Sequence, residues 1–328
     1  MPTERLPVLV APDSFKGSYG SSEVAEAIAL GLASGGWRCE LAPLADGGEG
    51  TAEILRERLG GVVHSAPAHD PLGRELDAEY VALDDGRAVI EVAAASGLGT
   101  VAPAERDPEA ASSFGTGELV AAAIAGGARS LLVAAGGSAT TDGGRGAIEA
   151  INAAGGLRGT QLAVLCDVRT PFELAAEQFA PQKGADGAAV ARLRERLEAL
   201  ATGLPRDPRG LRYGGAAGGL AGGLWAAFDA RLAPGARFVL DALDFDRRLL
   251  ACHAVILGEG RLDATTLEGK AVAEAATRAR QLGVPAHAIV AINALSAFDA
   301  RILDLQTISE AGDLEQVAGA GAALASTL

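Results

Sequence analysis

Three times along this chain a short apolar run breaks into a glycine-bearing loop with acids in it, and a helical segment follows. The first run, Leu6–Ala11, is bounded by prolines and opens onto Asp13, Ser14 and Lys16, with Gly17 and Gly20 letting the loop bend. Ser21 is placed to cap the helix Glu23–Leu32, whose first-turn Glu23 suits the helix dipole. The second run, Arg38–Leu44, ends in ADGGEGT, with Asp46 and Glu49 among glycines before a helix over Ala52–Leu59. The third, His253–Leu257, ends in GEGRLDATTLEG, where Glu259, Arg261 and Asp263 follow the strand. A buried strand, a loop and a helix in that order build α/β layers, and ligands of open α/β sheets bind at the carboxyl ends of the strands.

Further along, Ala288–Ile292 and Leu305–Ile308 read as strands and Leu314–Thr327 as a last helix. Strands at Leu6, Arg38, His253, Ala288 and Leu305 predict a doubly wound parallel sheet of the flavodoxin or Rossmann kind. Its one carboxyl edge gathers Asp13, Asp46, Glu49, Glu259 and Asp263. Between them the texture changes. Gly61–Ala66, Glu75–Leu83 and Arg87–Val92 read as strands with turns at Asp70–Gly73 and at Asp84, Asp85 and Gly86, an antiparallel start to a second domain. Ser130–Ala135 and Gln161–Cys166 are further strands, Asp186–Leu204 is an amphipathic helix, and Arg237–Leu240 reads as a strand before a helix at Phe245–Ala251. The small residues Ala93–Gly99 read as a loop. The expected division is therefore residues 1–60 with 237–328 as the parallel α/β domain, and 61–236 as an inserted α/β domain with a mixed sheet. A ligand is expected in a cleft between the two.

The loop Gly136–Gly144, GGSATTDGG, is the most phosphate-like stretch. Its glycines expose main-chain N–H groups, Ser138, Thr140 and Thr141 add hydroxyls, and a helix N-terminus follows. It is not a Walker A loop, for G-x-x-x-x-G-K-[ST] occurs nowhere. The glycines of Gly214–Gly223 serve either helix packing or close approach to a nucleotide. Lysine is rare: of 28 basic residues only Lys16, Lys183 and Lys270 are lysines, each beside a glycine. A compact ammonium on a flexible stem suits a phosphate, and arginine does not replace it.

Charge and cysteine usage exclude several classes. A net charge of −14 without a basic stripe argues against nucleic acid as partner. Cys39, Cys166 and Cys252 are far apart and form no CxxC pair, which predicts free thiols in a reducing compartment. The apolar run at Leu6 is too short for a signal peptide, and Leu119–Ser138 is broken by Gly126, Gly127 and Arg129. The expectation is a cytoplasmic protein with no membrane partner; the sequence leaves its oligomeric state open, a homodimer included.

With these motifs in place the sequence resembles the type-1 glycerate kinase family. The resemblance rests on APDSFKGS, ADGGEGT, DPLGR (Asp70–Arg74), EVAAASGL (Glu91–Leu98), SFGTGEL (Ser113–Leu119), GGSATTDGG, CDV (Cys166–Val168), PQKGA, GAAGG and GEGRLD, in family order from residue 11 to about 270. The chain departs from the pattern at Thr141, where Asn is usual, at Ala180, where Gly is usual, and at Asn293; the segment between Ala154 and Gln161 is short. The resemblance implies a kinase that uses ATP and Mg²⁺ to phosphorylate D-glycerate at its 2-hydroxyl.

Phosphoryl transfer needs positioning and charge neutralisation. Asp13 or Asp263 is the expected general base and Lys16 the expected charge on the transferring group. Ser14 and either Arg261 or Arg74 are expected on the glycerate. Gly136, Gly137, Ser138, Thr140 and Lys183 are expected on the nucleotide, and Asp46, Glu259 and Asp142, with Asp263 as a further candidate, on Mg²⁺, which takes one or two carboxylates plus phosphate oxygens. Two other classes use similar residues: a non-catalytic sugar-acid-binding regulatory protein, and a Mg²⁺-dependent phosphatase. Binding of ATP with Mg²⁺ separates the kinase from both.

Overall fold

The computed structural model describes residues 5–15 and 17–328, apart from the side chain of Glu268. Two compact units divide the chain, residues 1–46 with 236–328 and residues 47–235.

The chain starts in the first unit with β1 (Val8–Pro12), α1 (Ser21–Ser34) and β2 (Cys39–Leu41). It then builds the second unit from α2 (Thr51–Leu59), β3 (Gly61–His69), β4 (Glu75–Leu83), β5 (Arg87–Glu91), α3 (Val92–Ser96), α4 (Phe114–Ala125), β6 (Ser130–Ala134) and α5 (Arg145–Ala153). Next come β7 (Gln161–Cys166), α6 (Ala175–Phe179), α7 (Gly187–Gly203), α8 (Leu220–Phe228) and β8 (Arg231–Pro234). From the boundary onward the chain completes the first unit with α9 (Gly235–Ala242), α10 (Phe245–Leu250), β9 (Ala254–Leu262), α11 (Ala271–Leu282), β10 (Ala286–Asn293), α12 (Ala297–Leu303), β11 (Leu305–Glu310) and α13 (Leu314–Ala325).

The first unit holds a five-stranded sheet in the order β11-β10-β9-β1-β2, every pair parallel. Read from the other edge this is the flavodoxin-like order, with its switch point between β1 and β9. Val8, Leu9 and Val10 of β1 and Val255, Ile256 and Leu257 of β9 have no exposed surface, as central strands covered on both faces require. The register pairs Pro12 with Gly258, so Asp13 and Glu259 both fall just beyond that point.

The second unit holds a six-stranded sheet, β3-β4-β5-β6-β7-β8. Its β3-β4-β5 part is antiparallel and the rest parallel, the mixed sheet expected from the hairpin at Asp84–Gly86. Its core runs through Ile90, Leu119, Leu131, Val133, Ile151 and Leu220.

Several local readings change. Residues 47–60, expected with the parallel sheet, belong to the second unit, because α2 packs on β3, β4 and β5 and Ala52 N–H donates to Glu91 at 2.8 Å. Arg237–Leu240 is helical, not a strand. The buried positions Ala236, Val239, Leu240 and Leu243 follow a helical period, which the local run FVL obscured. Ala93–Ser96 is helical for a similar reason, with Val92, Ala95 and Ser96 buried at i, i+3 and i+4. Gly20, not Ser21, is the cap residue of α1; its N–H donates to Glu23 at 2.8 Å. β8 and α12 had no counterpart in the sequence reading.

Candidate active site

The first unit carries a cavity of about 330 Å³ at the carboxyl end of β1 and β9, lined by Asp13, Ser14, Phe15, Ser18, Glu259, Gly260, Arg261 and Lys270, among others. Asp13 follows directly on β1 and is buried; its Oδ1 accepts from Ser14 N–H at 2.7 Å. Lys16, expected beside them, lies outside the described residues.

Glu259 and Arg261 stand inside β9, which runs five residues beyond Leu257 and pairs them with Val290 and Ile292 of β10. The Glu259 carboxyl is 5 % exposed and accepts from Thr266 Oγ1 at 2.8 Å, with Lys270 Nζ 3.7 Å away. Burial pushes its pKa up to about 7; Lys270 and the Thr266 hydroxyl oppose this, while Asp263 and Asp46 add to it. Lys270 thus stands as partner of a buried carboxylate.

Asp263 has a different part. Its Oδ1 accepts from Thr265 N–H at 2.9 Å and from Thr265 Oγ1 at 2.6 Å, and its Oδ2 accepts from Arg261 Nε at 3.1 Å. It caps the short turn Ala264–Glu268. The Thr265 hydroxyl, then the Thr265 amide, Lys270 and Arg261, hold its pKa below the usual carboxylate value despite partial burial. A carboxylate so held is a weaker base than an ordinary one. Arg261 is exposed and lines the cavity, with Nε engaged by Asp263.

Mg²⁺ uses one or two carboxylates and completes its shell with phosphate oxygens and water. Asp46 and Glu259 fit that need. Both are buried in the first unit, and Asp46 adds to the cost of ionising Glu259, a cost a bound cation relieves. Among the described residues no three His, Cys, Asp or Glu side chains gather where they could hold a metal unaided.

The second unit carries the loop Gly136–Gly144 after β6. Lys183, only 2 % exposed, donates from Nζ to Ser138 Oγ at 3.0 Å and to the main-chain oxygen of Thr140 at 2.5 Å. Burial lowers its pKa to about 8, with Asp142 and Asp167 opposing. Thr140 and Thr141 are buried, and neither hydroxyl has a hydrogen-bond partner. Buried hydroxyls without partners cost roughly 1–3 kcal/mol each, so two in one phosphate-type loop point to a ligand. The glycines of 214–223 turn out to serve packing. A Cβ on Gly218 would meet the oxygen of Thr140, and one on Gly223 the oxygen of Gly143, so the segment lies directly under the loop.

Two residues of this unit expected on ligands are engaged by the protein itself. Asp142 holds the loop. Its carboxylate accepts from Ser113 N–H and Oγ at 2.9 and 2.8 Å, from Gly144 N–H at 3.0 Å and from Gly146 N–H at 3.1 Å. The same bonds use up first-turn N–H groups of α5, so that helix N-terminus is already neutralised, against its reading as an open anion site. Arg74 is likewise committed, to Asp70 at 2.5 Å and Glu105 at 3.0 Å, while Asp70 also accepts from the N–H groups of Leu72 and Arg74. It clasps the turn between β3 and β4. Glu91 belongs to the motif EVAAASGL but carries no expected role of its own. Sitting at the end of β5 in a cavity of about 370 Å³, it has a pKa raised to about 7 by burial, against the amides of Ala52 and Gly50. Its signal was a lone acid between an apolar strand and a run of alanines.

A sequence profile described as the glycerate kinase family matches residues 8–156 and 152–321. The chain is similar to a glycerate kinase of Halalkalibacterium halodurans, at 35% identity covering 95% of this chain and 96% of that one. It is also 35% identical to a glycerate 2-kinase of Escherichia coli, over 81% of this chain and 80% of that one. A crystal structure of a candidate glycerate kinase 2 from Salmonella typhimurium LT2 superposes with a TM-score of 0.80 at 32% identity, covering 99% of this chain and 98% of that chain.

Proposed function

This chain belongs to the glycerate kinase family, and on that premise we propose that it transfers the γ-phosphoryl of ATP to the 2-hydroxyl of D-glycerate with Mg²⁺, giving 2-phospho-D-glycerate and ADP. The observation that carries the reading is Lys183, a buried ammonium clamped to a glycine loop whose Thr140 and Thr141 hydroxyls have no partner.

The first unit supplies the acceptor chemistry. Arg261 pairs with the glycerate carboxylate, and Ser14 donates to it beside Asp13. Asp13 takes the proton of the acceptor hydroxyl as its oxygen bonds to the γ-phosphorus and the bond to the bridging oxygen of ADP breaks. Asp46 and Glu259 would hold Mg²⁺, which when bound neutralises charge on the phosphates. Lys16 belongs to the same task on the strength of its sequence position. In the second unit Lys183 and the Gly136–Gly144 loop receive the donor phosphates, with Ser138 and Thr140 hydrogen-bonded to the ammonium and Gly136 and Gly137 in the same loop. A coupled assay for ADP release tests this: release should require both D-glycerate and Mg²⁺. Equal release without glycerate rejects the proposal.

No helix among the described residues is long and apolar enough to cross a membrane, and we place the protein in the cytoplasm, in keeping with its three free cysteines.

A further inference from the structure

A cavity of about 510 Å³ in the second unit lies among residues 108–112, the start of α5 and one side of α7. We propose that it receives the nucleoside of the phosphoryl donor, with Thr141 as its hydrogen-bonding anchor. The proposal rests on the kinase reading and names which part of the donor goes where.

Size and wall chemistry agree with a nucleoside. Small-molecule sites enclose about 300–1,000 Å³, mostly apolar, with a few polar groups to fix orientation. Here Leu193, Leu197 and Leu200 of α7 form the apolar wall, with Leu193 and Leu197 buried. Thr141 lines the cavity, is 1 % exposed and has no hydrogen-bond partner for its hydroxyl. Its neighbour Thr140 is the residue whose main-chain oxygen Lys183 holds. Cavity and lysine therefore meet at consecutive residues of one loop, as base and phosphates of one ligand would require.

The charges of the lining bear on the class of occupant. Asp142, Glu109 and Glu149 line the cavity, and so do Arg145 and Arg196. Arg196 is already spent on Glu109, through its carboxylate at 3.2 Å and its main-chain oxygen at 2.8 Å. The amides at the start of α5 are occupied by Asp142. With three carboxylates against two guanidiniums the lining stays negative, which favours a neutral group with N–H and O–H donors over a phosphate or a sugar acid, and carboxylates near a ribose accept from its hydroxyls.

Equilibrium titration with ADP tests the assignment without turnover. Ala199 is exposed and lines the cavity, so Ala199→Trp places an indole there without disturbing the core. The expected result is ADP affinity at least 10-fold weaker in Ala199→Trp and about 5-fold weaker in Thr141→Val. The thermal midpoint of Thr141→Val should be unchanged or higher, since its lost hydroxyl had no partner, and KM for glycerate should stay within twofold in both. Unchanged ADP affinity in folded Ala199→Trp would overturn the assignment, even in an enzyme that phosphorylates glycerate. Weakened ADP binding in variants of a protein that never phosphorylates glycerate would support the cavity and reject the kinase reading instead.

Discussion

The ammonium of Lys183 lies 2.5 Å from the main-chain oxygen of Thr140, inside a protein that otherwise uses arginine for almost all of its positive charge. Burial lowers its pKa to about 8. The charged form is therefore lost from the free enzyme as pH rises through that value. If it neutralises the donor phosphates, kcat/KM for ATP should fall above about pH 8. Lys183→Met should lower kcat by about 10²-fold or more and remove that limb. A flat profile between pH 7 and 9.5 in the native enzyme would contradict the role.

Asp13 and Asp263 should separate in a mutant series. Asp13→Asn removes the acceptor of the substrate proton and should lower kcat about 10²–10⁴-fold. Asp263→Asn loses a cap held by Thr265 and Arg261, so its main effect should be a lower thermal midpoint, with kcat reduced far less. Equal losses of kcat in the two variants would reverse the assignment.

Asp142→Asn addresses the loop. A carboxylate that accepts from Ser113, Gly144 and Gly146 should cost about 2 kcal/mol or more when neutralised. In thermal melts the midpoint should drop by several degrees, while the Mg²⁺ concentration for half-maximal rate stays put. A large shift in that concentration would restore Asp142 as a metal ligand.

How much of this was legible depended on what each residue answers to. The flavodoxin-like sheet was readable because its central strands are covered on both faces and appear as unbroken apolar runs, as at Val8–Ala11 and Ala254–Leu257. The helix α9 was not, since its apolar residues form both a local run and a helical stripe, and only packing chooses between them. The loops themselves stood out by composition, and Lys183 by rarity. Partners did not: Arg74 and Asp142 looked available because nothing local shows that Asp70, or Ser113 twenty-nine positions away, already engages them. Glu91 was missed because burial, which sets its character, is a tertiary property.

Glu91 gives a test of stability. In the folded protein its pKa is raised from 4.5 to about 7, so between those values the folded state binds the proton that the unfolded state has released. Stability from this group is present below about pH 4.5 and is lost as pH rises to about 7, by at most about 3 kcal/mol. Thermal midpoints measured from pH 5 to pH 8 should fall more steeply in the native protein than in Glu91→Gln. Parallel curves would show that the carboxyl stays ionised throughout.

Lys16 is the remaining charge in the account, assigned from its place in a glycine-flanked stretch after β1. Lys16→Met should lower kcat by about 10²-fold, and Lys16→Arg should also be impaired, since a planar fork does not replace a point charge. Near-normal kcat in Lys16→Met would remove it from the reaction.

Incubation with D-glycerate, ATP and Mg²⁺, followed by phosphorus NMR of the product, tests the central claim most directly. The account predicts one phosphomonoester resonance, coupled to the single proton on C2, which identifies 2-phosphoglycerate. Coupling to the two protons of C3, or no phosphoglycerate at all while ATP binds, would contradict it.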